Sequence, residues 1–430
     1  MTPAPCYIGI DLGTSGVRAV MTKGQDEIVA QAQTPLPAPD AKDGAVRQDP
    51  HLWWEAVDRV LLELSEKAAL ETVVGLCVDG TSGTILVSDA AGEPLASARM
   101  YNDRSAVAAG ERIDRVAAVD SMARGTGGSL ARLLTLLEEV GDGKVAYALH
   151  QADWIAARLT GRFGRSDFNN CLKLGFDVAA ERWPDWMSAL GFDLSLLPRV
   201  AAPGTPLTVL LPAMARRYGL PPDCQVVHGT TDGNAAFLAA GAFEPGTAVT
   251  SLGSTLTLKL VSAAPVFAPD YGVYSHKLLG HWLAGGASNT GGAAIACHFS
   301  VAEIERLTPA LRPEEPTGLE YYPLPSPGER FPVADPQKAP VETPRPEDDA
   351  IFLQGLLEGI AGIERDAYAR LAELGATPLR QVLTVGGGAA NAAWTQIRAR
   401  VLGVPVTAAA NTEAAYGAAR LARFGCEGGA

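Results

Sequence analysis

A chain of 430 residues with 47% apolar and 19% charged residues can bury sizeable cores in two or three domains and is too apolar to be a disordered protein. Its net charge of −13 argues against nucleic acid or an anionic membrane as a main partner, since both demand a basic surface, but leaves room for a locally bound anionic nucleotide. Six cysteines (Cys6, Cys77, Cys171, Cys224, Cys297 and Cys426) are scattered without C-x-x-C spacing, which argues against a zinc site or a disulfide framework and predicts reduced, mostly buried thiols in a cytoplasmic protein.

The first ten residues, MTPAPCYIGI, hold neither a basic segment nor a long apolar run, so no secretory leader is expected. No apolar stretch approaches a membrane span. The first structured stretch is Tyr7 to Lys23, in which two β-prone runs flank a Gly-Thr-Ser-Gly turn with Asp11 at its mouth. Gly13 and Gly16 let backbone approach an anion, and Thr14 and Ser15 add hydroxyl donors beside free N–H groups. Such a turn can hold phosphate. It is also what an ordinary Asx-type hairpin turn looks like, and a second copy tips the balance.

After a Pro-rich connection, Asp49 and Pro50 predict the start of a helix with Trp53, Val57, Val60, Leu61 and Leu64 on its inner face. Val73 to Val78 reads as a strand ending in Asp79-Gly80-Thr81-Ser82-Gly83, with Thr84 to Ser88 as the next. A dehalogenase-type phosphatase loop would need a carboxylate at Cys77, so that reading fails. Helices are predicted around Leu130 to Val140 and Ala152 to Leu159, with a polar turn at Ser166 to Asn170. The strand Gln225 to Val227 runs into His228 to Asn234, which places Asp232 at a strand end before a small-residue helix, Ala235 to Gly241.

Residues Val249 to Leu260 repeat the pattern of Gly9 to Val20, with Leu252 standing where Leu12 does and Ser251 where Asp11 does. Repeats this far apart point to two related domains. Two such turns can clamp one phosphate chain between domains, with the acid on the first side only. Between Arg312 and Pro346 lie ten of the 30 prolines, interrupted by Tyr321, Tyr322, Leu324 and Phe331. That predicts a packed irregular excursion rather than a linker. The helix Ile351 to Leu374 follows, with Gly355, Gly359 and Gly362 near one face to allow close approach. Strand Gln381 to Val385 then meets Gly386-Gly387-Gly388, with Asn391 and Trp394 beyond, a glycine turn on which a planar or phosphorylated ligand can lie. A helix over Glu413 to Phe424 closes the chain.

Neither a G-x-G-x-x-G fingerprint nor a Walker A loop is present, since Val145 follows Gly141-Asp142-Gly143-Lys144 where Ser or Thr is required. The six histidines show no metal-ligand spacing. Two hydroxyl-glycine hairpins, a third glycine turn and two strand-end aspartates together describe a cleft that holds a nucleotide and acts beside it.

This series resembles the superfamily of acetate and sugar kinases, Hsp70 and actin, and within it the FGGY carbohydrate kinases. The resemblance rests on DLGTSG at 11–16, GTTDGNAA at 229–236, EPGTAVTSLGST at 244–255, GGASNTGGA at 285–293, SPGERFPVAD at 326–335 and GGGAANAAW at 386–394. Within the family it looks most like the xylulokinase-like D-ribulose kinases, through DGTSGT at 79–84, QADW at 151–154, YYPLPSPGERFP at 321–332 and NTEAAYGAARLA at 411–422. It departs from xylulose and glycerol kinases in length and in carrying Asp79 to Gly83 where they have a Q-M-H-G-like loop. Tyr101-Asn102-Asp103-Arg104 keeps the shape of the family's W-x-D-x-R segment.

The resemblance implies an α/β, two-domain actin-like ATPase (ribonuclease H-like) fold with a cleft between domains. Residues 1–241 plus 411–430 would form the sugar-binding and catalytic domain, and 242–410 the ATP-binding domain. It implies an ATP- and Mg2+-dependent kinase, monomeric or homodimeric, that phosphorylates the terminal hydroxyl of a ketopentose, with D-ribulose first and xylulose or another polyol as the alternative. Gly13, Thr14, Ser15, Gly253, Ser254 and Thr255 would cradle the ATP phosphates, and Gly387, Gly388, Asn391 and Trp394 would border the adenosine. Asp11 would orient Mg2+ and touch the substrate, Ser82 would hydrogen-bond it, and Asp232 would act as general base. A nucleotide-gated binding protein of the actin or Hsp70 type shares the hairpins but needs no such base.

Overall fold

The structure, a computed structural model, describes residues 4–428. Residues 1–3, where the segment read as lacking a leader begins, and 429–430, the end of the expected first domain, lie outside the described residues. The chain divides into two compact units. One comprises the described residues up to 239 with 277–280 and those from 411 onward; the other spans 240–276 and 281–410.

The first unit is built on a seven-stranded mixed sheet. Strand β1 (Cys6–Leu12) pairs antiparallel with β2 (Gly16–Lys23), and β2 with β3 (Glu27–Pro35), which gives the predicted opening hairpin. Helix α1 (Pro50–Lys67) begins where Asp49 accepts the His51 N–H at 3.0 Å, an N-cap that satisfies an orphan donor. On the other side of β1 lies the parallel strand β4 (Val73–Gly80). Helices α2 (Ser129–Val140), α3 (Gln151–Thr160) and the one-turn α4 (Phe168–Leu172) follow. Strands β5 (Pro206–Val209), β6 (Gln225–Val227) and β7 (Thr230–Thr231) complete the sheet, the last two parallel to β4. Helix α5 (Asp232–Ala240) leaves β7 directly.

All seven residues of β1 are buried, as expected of a strand covered on both faces. Because side chains alternate across a strand, Ile8, Ile10 and Leu12 join Trp53, Val57 and Val60 of α1 in one core. Gly9 faces the other way, where a C-terminal helix (Ala414–Cys426) crosses so closely that a Cβ on Gly9 would stand 1.9 Å from the Ala415 carbonyl oxygen. Only glycine fits there. Two sequence expectations shift in this unit. Ser166 to Asn170 is no simple turn: a short strand, Arg165–Asp167, leads into α4, because the Asp167 carboxylate caps it by accepting from the Asn169 and Asn170 N–H groups. And α5 begins at Asp232, three residues earlier than expected, with the acid in its first turn where the helix dipole favours it.

The second unit carries a six-stranded sheet. Its strands are β8 (Thr247–Leu252), β9 (Leu256–Ser262), β10 (Tyr274–Leu278), β11 (His281–Ser288), β12 (Gln381–Val385) and β13 (Val406–Ala408), in the order β10-β11-β9-β8-β12-β13. β8 and β9 form the second copy of the opening hairpin. Leu252 pairs with Leu256, whereas Leu12 pairs with Val17, so the second turn is one residue shorter. The 25-residue helix α6 (Asp349–Glu373) lays Phe352, Leu356, Ile360 and Ile363 into the core beneath β9, and α7 (Ala392–Leu402) follows β12.

The Pro-rich excursion is irregular and packed, with Tyr321, Leu324 and Phe331 buried. It lies on α6 where Gly355 and Gly359 leave room, since Cβ atoms there would come within 2.8 Å of Leu319 and of Pro323 and Tyr321. Gly362, expected to share this role, faces open space.

Candidate functional site

Strands β1, β4 and β7 end side by side. Asp11 is in register with Asp79, Asp79 with Thr230, and Asp232 follows β7 by one residue. Three carboxylates therefore gather at the C-terminal ends of parallel strands, where open α/β sheets bind ligands. Asp11 and Asp79 are buried. Arg18, opposite Asp11 in the hairpin, donates to its Oδ2 at 3.1 Å. Asp11 Oδ1 and both Asp79 oxygens meet no donor group among the described residues.

Burial pushes Asp79 well above the ordinary carboxylate range, and the facing charges of Asp11 and Asp232 push the same way. Asp11 is raised by its own burial, against the opposing pull of the neighbouring Asp79 and of Arg18. With the proton held on Asp79, the negative charge stays on Asp11 beside Arg18. The unpartnered Oδ1 of Asp11 fits a divalent cation that takes one protein carboxylate and fills its shell with water and phosphate oxygens. Among the described residues no group of three or more His, Cys, Asp or Glu is placed to hold a metal.

The loop after β4 is held from below. Gln151 Oε1, at the start of α3, accepts from Thr81 N at 3.0 Å and Thr81 Oγ1 at 2.8 Å. Thr84 Oγ1 lies 2.6 Å from Thr81 Oγ1 and accepts the Tyr101 N–H at 3.0 Å. The wholly buried Arg132 donates to the Gly83 and Tyr101 carbonyls. The Thr81 and Thr84 hydroxyls are thus engaged within the protein, whereas the hydroxyl of the half-buried Ser82 has no partner among the described residues. Asp103 is structural: it accepts from Val46 N, Arg99 Nη1, Ser105 N and Ser105 Oγ.

The first phosphate-type turn is closed by Gly13 N–H donating to Gly16 O at 3.0 Å. In the second unit Gly253 N–H donates to Thr255 O at 3.2 Å, and Gly292 N–H and Ala293 N–H donate to the carbonyls of Gly253 and Ser254. The hydroxyls of Thr14, Ser15, Ser254 and Thr255 are likewise without partners among the described residues. Because β8 and β12 are parallel and in register from Thr247 and Gln381 to Ser251 and Val385, the Gly386–Gly388 turn emerges beside the Gly253 turn. Gly386 has φ 85°, and a Cβ on it would stand 2.7 Å from Leu252 O, a position closed to other residues. Gly387 is exposed backbone. Asn391 caps α7 by accepting from Trp394 N at 3.0 Å and donates to Thr308 Oγ1 at 3.1 Å, so both ends of its amide are engaged. Trp394 is buried beneath Gly388, its indole N–H unpartnered among the described residues.

Arg18, Arg132 and Lys173 are the residues of this region that sequence reasoning passed over, and Gln151 entered it only as the first residue of the QADW motif. A hairpin register drawn from the Gly-Thr-Ser-Gly turn would have found Arg18; the others come from distant helices.

The solved xylulose kinase of Rhodospirillum rubrum superposes with a TM-score of 0.85 at 25% identity, covering 98% of this chain and 90% of that one, so the fold is the two-domain sugar-kinase fold of mixed α/β sheets. Models of the N-terminal and C-terminal domains of the FGGY family of carbohydrate kinases match residues 6–239 and 246–426. The chain belongs to that family, whose members transfer a phosphoryl group from ATP to a sugar. Xylulose kinases of Escherichia coli K12 and Streptomyces coelicolor are 26% identical over 437 residues and 28% over 421, covering 97% and 94% of this chain and 90% and 84% of those proteins.

Proposed function

We propose that the protein phosphorylates the terminal hydroxyl of a ketopentose, D-ribulose giving D-ribulose 5-phosphate, with ATP and Mg2+ as co-reactants. The observation that carries this reading is the Ser82 loop. It stands where xylulose and glycerol kinases have a Q-M-H-G-like loop, and it leaves one free hydroxyl on the strand edge that also bears Asp11 and Asp232. Two motifs of the closer resemblance, DGTSGT and QADW, meet through the Gln151 to Thr81 hydrogen bonds.

In this reading Gly13–Ser15 and Gly253–Thr255 hold ATP phosphates through N–H and hydroxyl donors. Gly387 and Gly388, backed by Asn391 and Trp394, border the adenosine. Residues 1–241 with 411–430 bind the sugar, and 242–410 serve ATP. Asp11 holds Mg2+, which supplies charge neutralisation at the transferring phosphoryl group. Ser82 orients the sugar. Asp232 accepts the proton of the attacking hydroxyl as its oxygen bonds to the γ-phosphorus and the bond to the ADP oxygen breaks.

D-Xylulose is the second reading, favoured by the relatives named xylulose kinase. Coupled ADP release with D-ribulose, L-ribulose, D-xylulose, L-xylulose, ribitol, glycerol and no sugar separates them. Stimulation by D-ribulose above all is expected. Stimulation by D-xylulose alone would move the assignment to the second reading, and equal release with and without every sugar would overturn both.

A further inference from the structure

Lys173 caps the C-terminus of α4 and stands beside the Ser82 loop. A Cβ on Gly83 would lie 3.6 Å from its Cδ, with Arg132 Nη1 at 3.1 Å on the same side. The side chain is half-buried, yet among the described residues its ammonium makes no ion pair or hydrogen bond. Its surroundings are otherwise cationic: Arg132 and Arg104 both oppose its charge, and Asp232 is the carboxylate that favours it. A lysine with only a packing role would carry its head to water. Here the stem runs beside Gly83, and Asp232 is the carboxylate whose charge acts on the head. A partly buried ammonium without an acceptor is costly, and two neighbouring cations add to that cost. Such an arrangement calls for an acceptor, and none of the described residues supplies it.

We propose that Lys173 is a substrate-contacting residue of the sugar site, its ammonium donating to the carbonyl end of the bound ketose while Asp232 faces the hydroxyl that is phosphorylated. This rests on the ketose-kinase reading above. An ammonium is a donor only and a ketone oxygen an acceptor only, so the two are complementary, and the contact fixes which end of the sugar meets Asp232.

The test uses the full-length protein and its Lys173→Met and Lys173→Arg variants, with ADP release measured against D-ribulose and ATP, and D-ribulose affinity measured by calorimetry without nucleotide. A hydrogen bond from a charged group predicts a loss of about 10- to 100-fold in kcat/KM for the sugar. The loss should appear in KM and in sugar affinity, with the KM for ATP and the thermal midpoint unchanged, and with partial recovery in Lys173→Arg. A wild-type sugar KM in Lys173→Met overturns the assignment and leaves the kinase reading standing. So does an equal loss towards sugar and ATP accompanied by a lower thermal midpoint, which marks a structural role. Should the Met variant fail to fold, Lys173→Gln carries the same comparison. Wild-type protein that releases ADP independently of every sugar in the panel overturns the kinase reading itself, and this assignment with it.

Discussion

Arg132 on α2 donates through Nη1 to the carbonyl of Gly83 at 2.9 Å, a cation held by a neutral acceptor. The same guanidinium reaches Tyr101 O at 2.6 Å and Asp103 O at 3.3 Å. It is fully buried and has no carboxylate in ion-pair range among the described residues, so burial, with the nearby Arg104 and Arg99 charges and against the more distant Asp103, pushes its pKa down to about 10 and still leaves it protonated at neutral pH. A planar fork of donors is thereby used as a staple for the loops on either side of Ser82.

Arg132→Lys keeps the charge but replaces the fork with a single point donor. The expected outcome is a rise of about tenfold or more in the KM for sugar, in line with the loss of one or two charge-assisted hydrogen bonds, with the KM for ATP unchanged. Steady-state kinetics with each substrate varied in turn checks this; a parallel rise in both KM values would contradict it.

For Asp232→Ala we expect sugar-dependent turnover to drop by about 10² to 10⁴, the usual worth of a general base, while ATP still binds. Nucleotide titration by fluorescence or calorimetry, alongside the coupled assay, reads both. Turnover within a few-fold of wild type would remove Asp232 from the base role.

In the second unit Arg398 and Glu364 are both fully buried and joined by two bonds of 2.6 Å, Thr384 completing the shell of Arg398 and Thr250 that of Glu364. The pair ties α6, α7, β8 and β12 together. Arg398→Met should cost about 3–5 kcal/mol, because it strands a buried carboxylate, and Arg398→Met with Glu364→Leu should recover part of the loss. Urea unfolding of the three proteins gives the comparison, and a single variant as stable as wild type would refute it.

Asp167 offers a pH test. Burial, and then the charge of Asp153, push its carboxyl from 3.8 up to about 7, against the hydrogen bonds it accepts from Asn170 and Asn169. His150 pairs with Asp153 at 3.1 Å in the same buried cluster, and His228 faces it. A carboxyl raised on folding stabilises most below the unfolded pKa and loses that contribution as pH rises through the folded value. Relative to Asp167→Asn, wild type should therefore lose stability between pH about 4 and about 7, by at most about 1.4 kcal/mol per pH unit. Chemical unfolding at several pH values measures the slope; a difference that grows in favour of wild type over this range would be the wrong sign.

What the amino-acid sequence determined by itself was whatever depends on neighbours along the chain. The turn chemistry of Gly13–Ser15 and Gly253–Thr255, the strand end at Asp232, the cap at Asp49 and the aromatic anchors of the Pro-rich excursion were all legible, because each is a local pattern of residue types. The structure corrected these readings at their edges: Asp167 caps a one-turn helix where a turn was expected, and α5 starts at Asp232, ahead of its apolar residues. The tertiary structure alone decided which of these local pieces meet. Parallel strands carry no signal in sequence for their register, since they are joined by long crossovers, so the facing of Asp11 and Asp79 emerged only from the sheet. The same holds for Arg132 beneath Gly83 and Lys173 beside it. Each lies dozens of residues from the loop it serves, on a helix whose own pattern shows only which face is buried, not what it is buried against.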